Sequence, residues 1–387
     1  MVDCIRLTQD LITRPSVTPD DAGCLDLISE YLIPMGFTCY RLPFGDVDNM
    51  YARLGTESPN FCFAGHTDVV PVVSEELWKS PPFAADIHDG FIYGRGAVDM
   101  KGAIAAFVAA VAMHPLPIKG SISFLLTSDE EGKAINGTRQ VVKWLQEQGE
   151  TIDACIVGEP TSTTHIVDTV KVGRRGSLSV LLTVTGKAGH VAYPHLAANP
   201  IPILLEYLQV VSTIILDEGM EYFQPSHLEV TTIDVDNLAT NVIPRQAHAR
   251  FNIRFNPLHT ADSLMELLKE QAAAVMAKHE GFECSWEWEV SGEAFITNNI
   301  RLQNIIKEAI VKVRGVVPEF STSGGTSDAR FIKDLCPVVE LGLTNETAHQ
   351  LDERVAITHL KTLTKIYSQI LHSFFETPPC PLCHSSL

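Results

Sequence analysis

Histidines and carboxylates stand at the ends of several apolar runs in this chain, and imidazole with carboxylate is a donor set that suits borderline divalent cations. In AGHTDVVP, residues 64–71, His66 closes an apolar run, and Asp68 can accept from the second ring nitrogen and fix the tautomer. In YGRGAVDMKGAIAA, Asp99 lies between a glycine-rich stretch and a run of small residues. Its two oxygens can each take one cation of a pair about 3.5–4 Å apart, or it can cap the helix that follows. LLTSDEEGKAINGT ends an apolar run in Asp129, Glu130 and Glu131. Adjacent glutamates cannot share one role, so one is expected to bind metal while the other moves protons. CIVGEPTS ends another run in Glu159, before a proline that stiffens the turn, and VVELGLTNETAHQLDERV carries His349 beyond a further run. Taken singly, each residue also has a plain structural reading as a turn histidine, a helix cap or a solvated acid.

These side chains need elements that deliver them to one place. Strands are predicted at 38–42, 50–54, 61–64, 121–127 and 154–157, and the last three end in the polar residues just named. Helices are predicted at 2–13, 19–34, 100–113 and 137–148. In an open α/β sheet, ligands gather at the carboxyl ends of strands. From Ser177 the texture changes to alternating segments such as SLSVLLTVTG. Helices at 201–215 and 261–278 are interleaved with strands at 228–234, 246–254 and 283–290, the order of an inserted α+β sandwich that closes near Ser291. Helices at 299–314 and 359–375 follow, with a buried strand at 338–341 between them.

Length and charge bound the function. A chain of 387 residues exceeds one ordinary hydrophobic core and predicts two unequal domains. A net charge of −18 sets its field against nucleic acid and anionic membranes. Nine cysteines without repeated spacing suit reduced thiols in a cytoplasmic protein. The N-terminus lacks a secretory pattern, and the apolar run 103–113 is shorter than the roughly 20 residues a bilayer requires. Cys380, Cys383 and His384 have metal-like spacing in the tail 377–387, but a structural zinc site needs four ligands, so a disordered tail is expected.

Taken together, GHTDVVP, GRGAVDMKG, TSDEEG, VGEPTS, GHVAYPHLAANP, STSGGTSDARF and the final His349 resemble, in content and order, the M20 family of metallopeptidases. The resemblance runs from about residue 2 to 375. It is nearest to members that cleave N-succinyl-LL-2,6-diaminopimelate to succinate and LL-2,6-diaminopimelate in lysine and diaminopimelate biosynthesis. It implies an α/β fold, with a zinc-peptidase-like catalytic domain in residues 1–176 and 292–376 whose mixed central sheet is flanked by helices. An inserted α+β sandwich dimerisation domain would occupy 177–291.

The resemblance further implies two zinc ions per subunit, replaceable by cobalt or manganese. His66 and Glu159 would hold one, Glu131 and His349 the other, and Asp99 would bridge them. Glu130 becomes the general acid/base and Asp68 the partner that orients His66. A homodimer is implied, in which His190 reaches the partner's cleft with Asn241 beside it. Arg175, Arg254 and the loop Thr322, Ser323, Gly324 and Gly325 are the expected receptors for a small dicarboxylate substrate. The chain departs from the family pattern at Leu343, Thr344 and Ala348, before His349. Two expectations compete: an acetylornithine deacetylase or another acylamino-acid hydrolase, whose acyl group needs no carboxylate receptor, and an inactive binding homologue, which predicts a missing ligand or base.

Overall fold

The computed structural model describes residues 2–114 and 119–376. The tail with Cys380, Cys383 and His384 lies outside the described residues. The chain divides into two compact units, one comprising the chain up to Val172, Thr297–Ser321 and the chain from Ser327, the other Gly173–Ile296 with Thr322–Thr326.

The first unit is built on a mixed eight-stranded sheet in the order Thr38–Arg41, Asn49–Leu54, Ser121–Thr127, Asn60–His66, Ala154–Val157, Val338–Glu340, Thr169–Lys171, Glu319–Ser321. Its centre is four neighbouring parallel strands, Ser121–Thr127, Asn60–His66, Ala154–Val157 and Val338–Glu340. Every residue of these four is buried, which is why they read as unbroken apolar runs. Parallel strands end on one side of the sheet, so the polar residues that follow them emerge together.

Helix Gly102–Ala112 is apolar on all faces and buried except at its last residue. It packs against helices Cys4–Ile12 and Ile357–Glu376, and Phe107 stacks on Phe63 of the sheet at 4.4 Å. Two glycines admit the turn before this helix. A Cβ on Gly65 would come within 2.3 Å of Met100 Cε, and one on Gly158 within 2.6 Å of the same atom and 2.5 Å of Phe63 Cζ. Each glycine directly precedes a candidate ligand, His66 or Glu159.

Three expectations shift. The helix expected from residue 19 starts at Cys24, because Ala22 and Gly23 take positive φ and the Asp20 and Asp21 carboxylates accept from Ala22 N and Leu25 N. The helix expected from residue 100 starts at Gly102, after a turn in which Asp99 and Met100 are non-helical. Thr169–Lys171 and Glu319–Ser321 were not anticipated, since three residues are too few to show a period.

The second unit holds an antiparallel four-stranded sheet in the order His227–Asp234, Gln246–Phe255, Gly176–Thr185, Glu283–Gly292. Alternate residues, Leu178, Val180, Leu182 and Val184 on one strand and Ala247, Ala249, Phe251 and Ile253 on its neighbour, share a core with helices Pro200–Ser212 and Ala261–Met276. The period of two seen in the sequence is this half-buried sheet. Among the described residues no helix is long and apolar enough to cross a membrane.

Candidate metal centre

His66 ends its strand, and the turn after it is pinned on both sides: Thr67 N donates to Thr127 O at 2.8 Å, and Val69 N to Ser16 O at 2.9 Å. His66 Nδ1 lies 3.0 Å from the Asp68 carbonyl oxygen, which can only accept, so Nδ1 carries the proton and Nε2 faces the site. Nε2 is 3.1 Å from Asp99 Oδ1 and 3.7 Å from Glu159 Oε1. The other Asp99 oxygen, Oδ2, is 3.2 Å from His349 Nε2, which is 2.7 Å from Glu131 Oε1. One carboxylate therefore faces two imidazoles, each with its own glutamate. Asp99 is not the cap of the helix that follows, whose N-cap residue is Lys101.

The run of three acids divides its labour. Asp129 is spent on the loop, accepting from Ala134, Ile135 and Asn136 N at 3.0–3.1 Å. Asp68 differs from expectation, because its backbone carbonyl rather than its carboxylate takes the closer position to His66 Nδ1. The Asp68 carboxylate instead accepts from Glu130 N at 3.3 Å and Glu131 N at 3.0 Å, fixing the peptide that carries both glutamates.

Charge in the cluster is strongly perturbed. Burial pushes the Glu130 carboxyl well above its ordinary pKa, His66 opposes this, and the charges of Asp328, Glu131 and Asp99 add to the rise. Glu159 is raised in the same way, by burial and then by Asp99 and Glu130. Burial opposes charge on His66, but its contact with Asp99 and the surrounding carboxylates hold its pKa well above the usual value. Contacts with Asp99 and Glu131 push His349 up to about 10. Asp99 is held low by the two imidazoles despite its burial.

Such crowding of buried carboxylates is costly unless cations neutralise it. His66, Asp99 and Glu131 offer three donor atoms within 4.8 Å of one another, as do His66, Glu130 and Glu159. Glu159 Oε1 is buried with no hydrogen-bond partner, an acceptor waiting for a positive charge. The residues present offer donor sets that fit divalent metal ions.

Residues 62–373 match the peptidase family M20/M25/M40. The chain belongs to this family. It is 52% identical over 376 residues to the succinyl-diaminopimelate desuccinylase of Caulobacter sp. (strain K31), covering 97% of this chain and 96% of that one. Its identity to the succinyl-diaminopimelate desuccinylase of Ehrlichia canis (strain Jake) is 50% over 381 residues, with coverages of 97% and 99%. Among solved structures, aminopeptidase PepT from Bacillus cereus matches with a TM-score of 0.76 at 19% identity, over 95% of this chain and 96% of that one. The M20 family metallo-carboxypeptidase Sso-CP2 from Sulfolobus solfataricus matches at 0.74 and 18%, over 96% and 99%. These two structures share the fold described above.

The M20-family chain carries its remaining candidate residues in the second unit. His190 and Asn241 stand together on a short ribbon: Gly189–His190 pairs with Val242–Ile243, and Val191 N donates to Asn241 O at 3.1 Å. His190 Nδ1 accepts from Ala192 N at 3.0 Å, which leaves the neutral ring's proton on Nε2. Arg175 Nε and Nη1 are buried without hydrogen-bond partners, and burial followed by the charge of Arg175 lowers the pKa of Arg254. Thr322 is less available than expected, because its hydroxyl donates to Tyr222 O. Arg174, not singled out from the sequence, donates to Ser323 O at 3.2 Å, and Gly324 passes beside that guanidinium with φ +104.

Sequence reasoning also missed two members of the first unit's site, Arg95 and Glu353. Their signal was available in GRGAVDMKG and LDERV, where an arginine and a glutamate lie beside Asp99 and His349. Burial pushes the Glu353 carboxyl up to about 7, with the Asp99 charge adding to the rise.

Proposed function

We propose that this M20-family chain hydrolyses the amide bond of N-succinyl-LL-2,6-diaminopimelate, releasing succinate and LL-2,6-diaminopimelate. The observation that carries the reading is its half-identity, along nearly its whole length, to succinyl-diaminopimelate desuccinylases. We assign His66 and Glu159 to one zinc, Glu131 and His349 to the other, and Asp99 to both; cobalt or manganese can take the same donors. When bound, the ions supply Lewis acidity toward a water and the scissile carbonyl.

The chain's own residues do the rest. Glu130 takes a proton from the attacking water and passes it to the leaving nitrogen. Its partly buried place among other carboxylates, which favours the protonated form, supports that role. Asp68 holds the Glu130–Glu131 peptide so that one carboxylate handles protons while the other faces a metal ion. His190 offers its Nε2–H to the developing oxyanion, a use its Nδ1 contact favours. Arg175 and Arg254, with the loop Thr322–Gly325, receive the substrate carboxylates, as the unsatisfied Arg175 nitrogens support.

Residues 1–176 and 292–376 form the catalytic domain in this reading, and 177–291 the dimerisation domain. A homodimer is supported by the edge strand His227–Asp234 with its exposed Ile233, and by exposed Val191, Tyr193 and Leu196 near His190 in the chain. Seven free cysteines among the described residues support a cytoplasmic setting.

The test is a comparison of kcat/KM for the succinyl substrate and for N-acetylornithine by the purified, zinc-loaded chain. A preference of about a hundredfold or more for the succinyl compound is expected, since a site built to bind a polar group rejects analogues that lack it. Equal or better turnover of the acetyl compound overturns the specificity. A preparation that takes up no zinc and gains no activity from added metal points to the inactive homologue.

A further inference from the structure

Glu353 is fully buried, and its carboxylate meets four donors from one turn. Arg95 Nη1 lies at 2.8 Å, and the backbone N–H groups of Gly96, Val98 and Asp99 at 3.0, 3.0 and 3.3 Å. Its backbone joins in, with Gly94 N donating to Glu353 O at 2.8 Å. The same guanidinium also reaches toward the last ligand: Arg95 Nη1 donates to Gln350 O at 3.3 Å and Nη2 to His349 O at 3.5 Å. Arg95 is itself steadied by the face of Trp78, 5.2 Å from the ring centroid. A buried ion pair thus ties the turn that carries Asp99 to the loop that carries His349.

The loop needs such a tie. His349 has φ +61, a conformation that a non-glycine residue keeps only when its surroundings hold it. His66 and Glu159, by contrast, come straight off the ends of neighbouring parallel strands and owe nothing to Glu353. Loosening the pair would misplace two of the three groups around one candidate site, Asp99 and His349. Around the other, only the shared Asp99 would be affected.

We propose that Glu353 and Arg95 are positioning residues that set the affinity of the cation site formed by Asp99, Glu131 and His349, while the side formed by His66 and Glu159 keeps most of its affinity without them. The proposal rests on the two-metal reading above, and its test separates the two. Metal-free chain is titrated with Co(II), and uptake is followed by the ion's visible absorption and by competition with a chelator.

The unaltered chain takes up two equivalents. Glu353→Gln keeps the shape of the side chain but loses the charge that faces Arg95. It binds the first equivalent within about threefold of the unaltered chain and the second about 10–100-fold more weakly, the range typical of groups that hold metal ligands in place. Arg95→Lys keeps the charge but not the planar fork, and weakens the same second equivalent; it decides the matter should Glu353→Gln not fold. Leu268→Ala, which opens a cavity in the second unit's core, provides a destabilised control that leaves both equivalents unchanged. The proposal is overturned if the folded variants bind both equivalents as the unaltered chain does, or lose both equally. An unaltered chain that takes up fewer than two equivalents overturns the metal centre, and the proposal with it.

Discussion

Glu130 and Glu131 share one anchored peptide yet face different partners. Glu131 lies against His349, while Glu130 is half-buried among carboxylates that favour its protonated form. If Glu130 is the proton carrier, Glu130→Gln removes proton transfer without removing either glutamate–imidazole pair around Asp99. Turnover should fall by about a hundredfold to ten-thousandfold while metal uptake stays at the level of the unaltered chain. Turnover within a few-fold of normal would show that another group moves the proton. His66, Glu131 and Glu159 were legible because each follows a run of apolar residues that had to be a buried strand, whereas Asp99 stood out by the glycine-rich stretch before it. Glu353 was not legible, because a glutamate in LDERV looks like a solvated acid until Arg95 and three backbone amides are seen around it. Asp68 was legible in place but not in contact, since a sequence does not say whether a carbonyl or a carboxylate faces a ring nitrogen.

The elements that carry the candidate ligands are spaced by small residues as much as by apolar ones. Met100 fills the room left by Gly65 and Gly158, so the Asp99 turn sits directly behind the two strand ends that carry the candidate ligands His66 and Glu159. Gly158→Ala would drive a methyl group into Phe63 and Met100, and overpacking of this kind costs about 1–3 kcal/mol. Urea denaturation should show that loss, and Gly158→Ala combined with Met100→Ala should cost less than the two separate losses added together. An unchanged denaturation midpoint for Gly158→Ala would mean the strand end yields freely, and the close approach would not constrain the site. The same crowding explains what was unreadable at this scale. The turn Ala97–Lys101 looks like the first turn of the apolar helix it precedes, but Asp99 and Met100 are non-helical there, with Met100 packed beneath the strands and the Glu353 carboxylate accepting from the Gly96, Val98 and Asp99 amides. The long buried strands could be read from composition, whereas the three-residue strands at Thr169–Lys171 and Glu319–Ser321 take their place from neighbours distant in sequence.

At the scale of the whole molecule, a net charge of −18 offers no long-range attraction to a substrate rich in carboxylates, so recognition has to be local. Arg175 and Arg254 supply positive charge in the second unit, where His190 is exposed on its ribbon. The dimer reading gives that histidine a task in the partner's cleft, and this can be checked by complementation. Glu130→Ala and His190→Ala proteins should each be nearly inactive. In a dimer made of one of each, the cleft with an intact Glu130 receives the intact His190 of the other subunit, while the second cleft carries both lesions. Random mixing of equal amounts makes half the dimers mixed, with one working cleft in each, so about a quarter of the activity of the unaltered protein should return. If His190 serves its own chain, every cleft in every dimer keeps one lesion. Mixed dimers verified by differential tagging, with no recovery of turnover, would therefore return His190 to a site closed within one subunit.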